Sequence, residues 1–254
     1  MQIVPPLPAL SLSVTDLGLS RGGLDIVSDL SLSAGPGEAV LIHGPNGAGK
    51  TTTFNLVSGL LQPTAGSIRL NGTDLAGKLP DVRCHLGLGR AFQVVQPFPE
   101  MTVAENVNVG ALFGQPGTTA VEAEALTRDA LMTSGLWHLR DTPAEDLTLM
   151  QEKRLEIARA LATRPLILLL DEVMAGLRPG EAREAIDLVR RIRDTGVTVI
   201  FIEHVMPVVK DLADRVIVMD YGRMIAEGSY AEVTANPAVI EAYLGTDEEG
   251  EDAL

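Results

Sequence analysis

The sequence predicts an α/β fold: a mostly parallel sheet around a phosphate-binding loop, an N-terminal antiparallel β-subdomain and an inserted α-helical subdomain. Three observations carry this prediction. A glycine-rich stretch, GPNGAGKT, lies between an apolar run and a helical pattern. Two further apolar runs, LILLLDE and VTVIFIEH, flank an amphipathic segment. Between the loop and those runs the chain becomes rich in Ala, Leu, Glu and Arg, a composition suited to helices. Strands alternating with helices argue for a parallel sheet, and the helical block interrupts that alternation.

The elements follow in order. Residues 10–34 alternate apolar and polar positions, among them Leu12, Val14, Leu30 and Leu32. Period two predicts antiparallel strands with one wet face. AVLIH, residues 39–43, is continuously apolar, as in a strand buried on both faces. KTTTFNLVSGL then reads as a helix and SIRLNG as a short strand ending in a turn. From 114 to 165, EAEALTRDALMTSGL and QEKRLEIARALAT each carry a helical stripe. LILLLDE, the helix GEAREAIDLVRRIRDTG and VTVIFIEH restore the strand–helix alternation. RVIVMDYGRMIAEGS reads as a hairpin turning at Tyr221-Gly222. The final TDEEGEDAL predicts a solvated acidic tail. One domain is therefore expected over 1–254, its core at 1–92 and 166–245, its helical subdomain at 93–165 and its tail at 246–254.

Composition narrows the function. The chain has 254 residues, a net charge of −14 and 46% hydrophobic residues. That acidic balance argues against nucleic-acid binding and against attachment to anionic lipid, both of which need a basic face. Cys84 is the single cysteine, so no internal disulfide forms, which fits a reducing cytosol. MQIVPPLPAL has neither a basic start nor a long apolar core, so no signal peptide is expected. LILLL and VTVIFI fall far short of the roughly 20 residues that span a bilayer. Work at a membrane would require another protein to hold the chain there.

Gly44, Pro45, Asn46, Gly47, Ala48, Gly49, Lys50 and Thr51 match G-x-x-x-x-G-K-[ST]. Glycines let the backbone turn successive N–H groups toward phosphate oxygens, and the following helix, with Thr52, adds its positive end. Lys50 is placed to reach the β- and γ-phosphates, and Thr51 to offer its hydroxyl to Mg²⁺. Asp171 ends an apolar strand, where an acid holds the metal, and Glu172 follows, placed to polarise an attacking water. His204 stands at the carboxyl end of another strand, facing the region where open α/β sheets place ligands. Gln93, in RAFQVV, offers an amide to Mg²⁺ or water. His43, His85 and His138 are read as ordinary polar residues. These residues alone predict a Mg²⁺-dependent ATPase or GTPase, and no N/T-K-x-D motif for guanine is present, so ATP is the expected nucleotide.

In this order the loop GPNGAGKTT, the glutamine of AFQ, the strand LILLLDE, the turn AGLRPGE and His204 resemble the ATP-binding subunits of ABC transporters over about residues 10–245. RLEIARALATRP, LLLDEVMAGLRPGE and VIEAYLG are similar to the branched-chain amino acid importer branch. The resemblance implies a phosphate-loop ATPase core using ATP and Mg²⁺, on the cytoplasmic side of the inner membrane. It implies partners: a pair of transmembrane subunits, a second ATP-binding subunit paired head-to-tail and, indirectly, a periplasmic substrate-binding protein. QPFPEMTVAENV, residues 96–107, is an expected part of the docking surface, with Phe98 and Met101 as candidate contacts. The same motor serves other importers and exporters, lipopolysaccharide export among them. Soluble ABC ATPases and non-catalytic ATP sensors are further alternatives.

Three departures from the family pattern matter. Where the family carries L-S-G-G-Q, this chain has Leu147, Thr148, Leu149, Met150 and Gln151. In the family this loop acts in trans, on the γ-phosphate bound to the partner subunit, and glycine lets its backbone approach closely. Thr148-x-x-Gln151 also matches a helix capping box. No aromatic residue precedes Phe54, and Arg21 stands near the usual adenine platform, where a guanidinium can stack on the base. In AGLRPGE, Arg178 replaces the acid of the common S-G-L-D.

Overall fold

The computed structural model describes residues 11–204, 210 and 212–247. The first ten residues and 248–254, most of the expected acidic tail, lie outside that set. Ten strands are described: β1 Leu12–Arg21, β2 Leu24–Ala34, β3 Ala39–His43, β4 Ala65–Leu70, β5 Thr73–Asp74, β6 Leu88–Ala91, β7 Ile167–Asp171, β8 Thr198–Ile202, β9 Arg215–Asp220 and β10 Arg223–Gly228. The helices are α1 Lys50–Ser58, α2 Pro80–His85, α3 Val103–Gly114, α4 Ala120–Ser134, α5 Leu149–Ala162, α6 Pro179–Asp194, α7 Tyr230–Thr234 and α8 Pro237–Asp247.

The strands form two sheets. A four-stranded antiparallel sheet runs β2-β1-β4-β5, and a six-stranded sheet runs β10-β9-β3-β8-β7-β6. In the larger sheet β6, β7, β8, β3 and β9 pair parallel, and β10 pairs antiparallel with β9. The apolar runs explain why this sheet is buried on both faces. Val40 and Ile42 point into a core shared with the antiparallel sheet and α1, whereas Ala39 and Leu41 point into a second core under α6. Ile167 and Leu169 divide from Leu168 and Leu170 in the same way. A strand read as continuously apolar is thus two alternating faces, each covered.

The helical block has its own core, built from Val103, Val107, Leu131, Leu136 and Leu155. It starts earlier than the change in composition at 114, because Thr102 and Glu105 form a capping box that launches α3. Similar boxes open α4 with Thr119 and Glu122, and α5 with Thr148 and Gln151. The two described residues of the expected tail, Thr246 and Asp247, belong to α8.

Two turns position the loop after β3. Tyr221 and Gly222 have φ of 42° and 78°, the paired positive values of a tight hairpin turn. Through Gly222 that hairpin is tied to both sides: its N–H donates to the Ala48 carbonyl at 3.1 Å, and its carbonyl accepts from Ser28 at 2.9 Å. Gly44 is the second: it adopts φ of 147°, and a Cβ there would lie 2.1 Å from the Met219 carbonyl oxygen. Only glycine lets the chain leave β3 this close to β9.

Candidate active site

The loop from Gly44 to Gly49 wraps toward the start of α1. Gly47 and Gly49 have φ of 82° and 94°, which turns the backbone inward. Gly49 is the N-cap of α1 and no side chain caps that end. In contrast to α3, α4 and α5, this helix leaves its first-turn donors for a ligand. Lys50 is buried, and its Nζ donates to the carbonyls of Gly44 at 2.7 Å and Pro45 at 2.8 Å. Burial pulls its pKa down, against the attraction of Glu172 and Asp171. An ammonium arched over its own loop is where anionic oxygens would be received.

β7 and β8 deliver the acids and the histidine. Asp171 ends β7 in ion-pair contact with Arg90 of β6, Nη2 to Oδ2 being 2.8 Å. Burial nevertheless pushes the Asp171 carboxyl above its ordinary range. Its Oδ1 is buried without a hydrogen-bond partner, an acceptor left over for a ligand. Glu172 lies between two side chains: Gln93 Nε2 donates to Oε2 at 2.7 Å, and His204 Nε2 is 3.3 Å from Oε1. Its φ of 49° is left-handed, an uncommon backbone for a residue with a Cβ.

Thr51, Gln93 and Asp171 line one cavity of about 380 Å³, together with Arg90, Phe92 and Glu156. The three residues expected to meet a metal therefore face a common space. Their donor set, a hydroxyl, an amide and one carboxylate, suits a hard cation that keeps waters and phosphate oxygens as its remaining ligands. On the other side of the loop, a cavity of about 430 Å³ is bounded by Pro45, Asn46, Gly47 and Ala48 and by Tyr221, Ala238 and Glu241.

The remaining expected residues lie elsewhere. Thr52 is half-buried in α1, next to Thr51. Arg21 ends β1, exposed, in register with Leu24 across the hairpin. Thr148 caps α5, and Leu149, Met150 and Gln151 form its first turn. None of the four borders either cavity at the phosphate loop. Leu149 packs instead toward the turn at Gly176, its Cδ2 being 3.7 Å from where a Cβ on that glycine would stand. Phe98 and Met101 are partly exposed, and the Arg159 guanidinium lies over the Phe98 ring.

Several functional-looking groups escaped the sequence reading. Arg90 carries no motif, yet it holds Asp171, Asn55 and Ser58 together and lies over the rings of Phe54 and Phe92. His43, read as an ordinary strand-end residue, is buried, with Nδ1 3.0 Å from the Glu203 carbonyl and its ring stacked on Tyr243. Glu203 is buried beside the strand-end histidine, and burial pushes its carboxyl up to about 7. The one available signal was an acid inside VTVIFIEH, a run otherwise apolar up to its end.

Comparison with known proteins shows the family. The profile of the family described as ABC transporter matches residues 27–175, and that of the branched-chain amino acid ATP-binding cassette transporter matches 223–249. The chain is 39% identical to the high-affinity branched-chain amino acid transport ATP-binding protein LivG of Escherichia coli K12, over 92% of this chain and 97% of that one. It is equally 39% identical to the BraF protein of Pseudomonas aeruginosa, over the same shares. Among solved structures, the ADP conformation of an ATP-binding cassette of an ABC transporter superposes with a TM-score of 0.83 at 33% identity, covering 93% of this chain and 99% of that one. With a complete phosphate loop, an acid pair at a strand end and similarity over nearly its whole length, the chain belongs to the ABC transporter family, as an ATP-binding, ATP-hydrolysing subunit.

Proposed function

We propose that this chain powers import of branched-chain or related amino acids, from the cytoplasmic face of the inner membrane. It would work beneath a pair of transmembrane subunits, head-to-tail with a second ATP-binding subunit, and a periplasmic binding protein would deliver the substrate. The branch is supported by the match at 223–249 and by the transport role in the names of the relatives. Among the described residues no helix is long and apolar enough to cross a membrane; in this reading docking on the transmembrane subunits supplies the attachment.

The observation that carries the mechanism is the common cavity of Thr51, Gln93 and Asp171, with Glu172 joined to the cavity residue Gln93 by a hydrogen bond and facing His204 on its other oxygen. Gly44 to Lys50, with Thr51 and Thr52, would cradle the phosphates, the loop amides and Lys50 meeting the β- and γ-oxygens. Arg21 would contribute at the base. The Thr51 hydroxyl, the Gln93 amide and the free Oδ1 of Asp171 would hold Mg²⁺, Asp171 through water. The metal supplies neutralisation of phosphate charge when bound. Glu172 orients the attacking water and accepts its proton, while His204 and Gln93 keep that carboxylate aimed. Gln93 also lies at the root of the helical block, so loss of the γ-phosphate can be passed to the docking surface around Phe98 and Met101. Thr148 to Gln151 act on the partner's nucleotide.

The test is ATPase measurement on the full chain co-purified with its membrane subunits. MgATP turnover should rise when leucine and the cognate binding protein are added and should vanish in Lys50→Ala. Stimulation by a lipid substrate in place of amino acids would overturn the substrate assignment. Turnover that survives Lys50→Ala would overturn the site.

A further inference from the structure

Lys153 is a charged side chain with little reason to be where it is. It lies on α5, two residues after the altered signature, and is only 6% exposed. Burying an ammonium is costly unless something specific receives it. Here Nζ donates to the main-chain carbonyl of Glu172 at 3.3 Å. Burial pulls the Lys153 pKa down, and of the two carboxylates that oppose this the larger effect is that of Glu203, itself 1% exposed just after β8, with Glu172 second. Glu203 Oε1 in turn accepts the N–H of Met174 at 2.7 Å, two residues beyond Glu172. Below the turn, the Glu172 N–H donates to the Ile202 carbonyl at 3.0 Å. The residue so enclosed is the one with the left-handed φ of 49°. A non-glycine residue in that conformation persists only where its surroundings over-determine it.

We propose that Lys153 and Glu203 are positioning residues for ATP hydrolysis: a buried bracket that holds the Glu172 backbone in its left-handed turn and ties its aim to the placement of the signature helix. The inference rests on Glu172 being the residue that readies the water. Neither bracket residue lines either cavity at the phosphate loop. Lys153 grips the carbonyl before the turn relaxes, Glu203 grips the amide after it, and the Glu172 side chain is left free for Gln93 and His204. Because Lys153 belongs to α5, a shift of the helical block would move the Glu172 carbonyl with it. The side chain would then aim correctly only when the signature is seated against its partner.

The test uses the full chain with MgATP, scoring turnover, nucleotide affinity and melting temperature together. Lys153→Met should lower kcat by about tenfold to a hundredfold, as expected of misplacing a reacting group by a fraction of an ångström to an ångström. Nucleotide affinity should stay within about twofold, since no ground-state contact is removed. Lys153→Arg, which keeps a donor, should recover part of the loss. Lys153→Met combined with Glu203→Gln keeps the acceptor for Met174 and, above pH 7 where Glu203 ionises, removes both charges, so melting measured at about pH 8 should return toward wild type while kcat stays low. Turnover that recovers along with stability would make the bracket merely structural and overturn the proposal, as would a Lys153→Met enzyme of normal kcat. Glu172→Gln is the control: if it turns over normally, the reading of Glu172 fails; if it is inactive while Lys153→Met is normal, only the bracket fails.

Discussion

Nη2 of Arg90 stands 2.8 Å from Oδ2 of Asp171, and both side chains are almost fully withdrawn from solvent. This pairing decides which oxygen of Asp171 remains available. One is spent on the guanidinium; the other, Oδ1, is buried and unpartnered. Arg90 is itself fixed by Asn55, Ser58 and two aromatic rings, so the carboxylate cannot swing away.

Removing one member of such a pair leaves the other charge buried and alone. Arg90→Met should therefore destabilise the fold by about 3 to 5 kcal/mol. It should also weaken Mg²⁺-dependent ATP binding more than metal-free binding, because the surviving carboxylate is no longer aimed. Titrations with and without Mg²⁺, beside a denaturant melt, would show it. An equal loss in both titrations would mean that Arg90 serves only the fold.

Arg83 offers a contrast in which burial has no catalytic purpose. It is 1% exposed and donates to the carbonyls of Leu56, Val57, Leu75 and Lys78. Two of these close the C-terminal end of α1, where a cation also meets the negative end of the helix. Arg83→Met would leave those acceptors unsatisfied and should cost about 3 kcal/mol. The phosphate loop lies at the opposite end of α1, so ATP affinity of the folded fraction should not change. A midpoint shift in urea with unaltered nucleotide affinity is the expected pair of results.

Glu203 predicts a pH dependence. Its folded pKa is about 7 against an ordinary 4.5, with burial as the main cause. Between those values the folded chain keeps a proton that the unfolded chain releases. Stability must then fall as pH rises from about 5 to about 7, by up to about 3 kcal/mol from this group. Lys153 opposes the shift and Glu172 adds to it. Glu203→Gln carries no such proton, so the melting temperature of the wild type should decline across this range relative to the variant. Parallel curves for the two proteins would show that Glu203 is ionised throughout.

What could be read from sequence was what has a period or a spacing. The apolar runs gave β3, β7 and β8 because each face of the sheet is covered, and Gly44 to Thr51 could be recognised because the loop's geometry tolerates few alternatives at each position. Arg90, Lys153 and Glu203 were invisible for the converse reason. Each is an isolated charge whose meaning comes from β6, α5 and β8 being brought together by the parallel order of the sheet. α3 falls inside the expected helical subdomain at 93–165, but no separate helix was read there, because its start is fixed by the reciprocal bonds of Thr102 and Glu105, not by a change in composition. The capping box at Thr148 was legible, being local: Thr148 N–H donates to Gln151 Oε1 at 2.9 Å.

That same box frames the last prediction. Leu149 and Met150 occupy the first turn of α5, at the positions of the two glycines in the L-S-G-G-Q pattern, and the Leu149 side chain leans toward Gly176. A Cβ at both positions limits how closely the turn's amides can approach a partner's γ-phosphate. The reciprocal pair of sites should therefore be unequal. On the proposed head-to-tail pairing, this chain's own Lys50 and Glu172 would serve one site, and its altered signature would serve the other. Glu172→Gln here should remove most of the turnover of the assembled pair, whereas the matching change in the partner should remove little; equal losses would contradict the asymmetry. Restoring Leu149→Gly and Met150→Gly should cost no more than about 1 kcal/mol each in helix stability. It should raise turnover at the partner's phosphate loop, read as activity that persists when Glu172→Gln silences this one. If that residual activity does not rise, the side chains of Leu149 and Met150 are not what limits the second site.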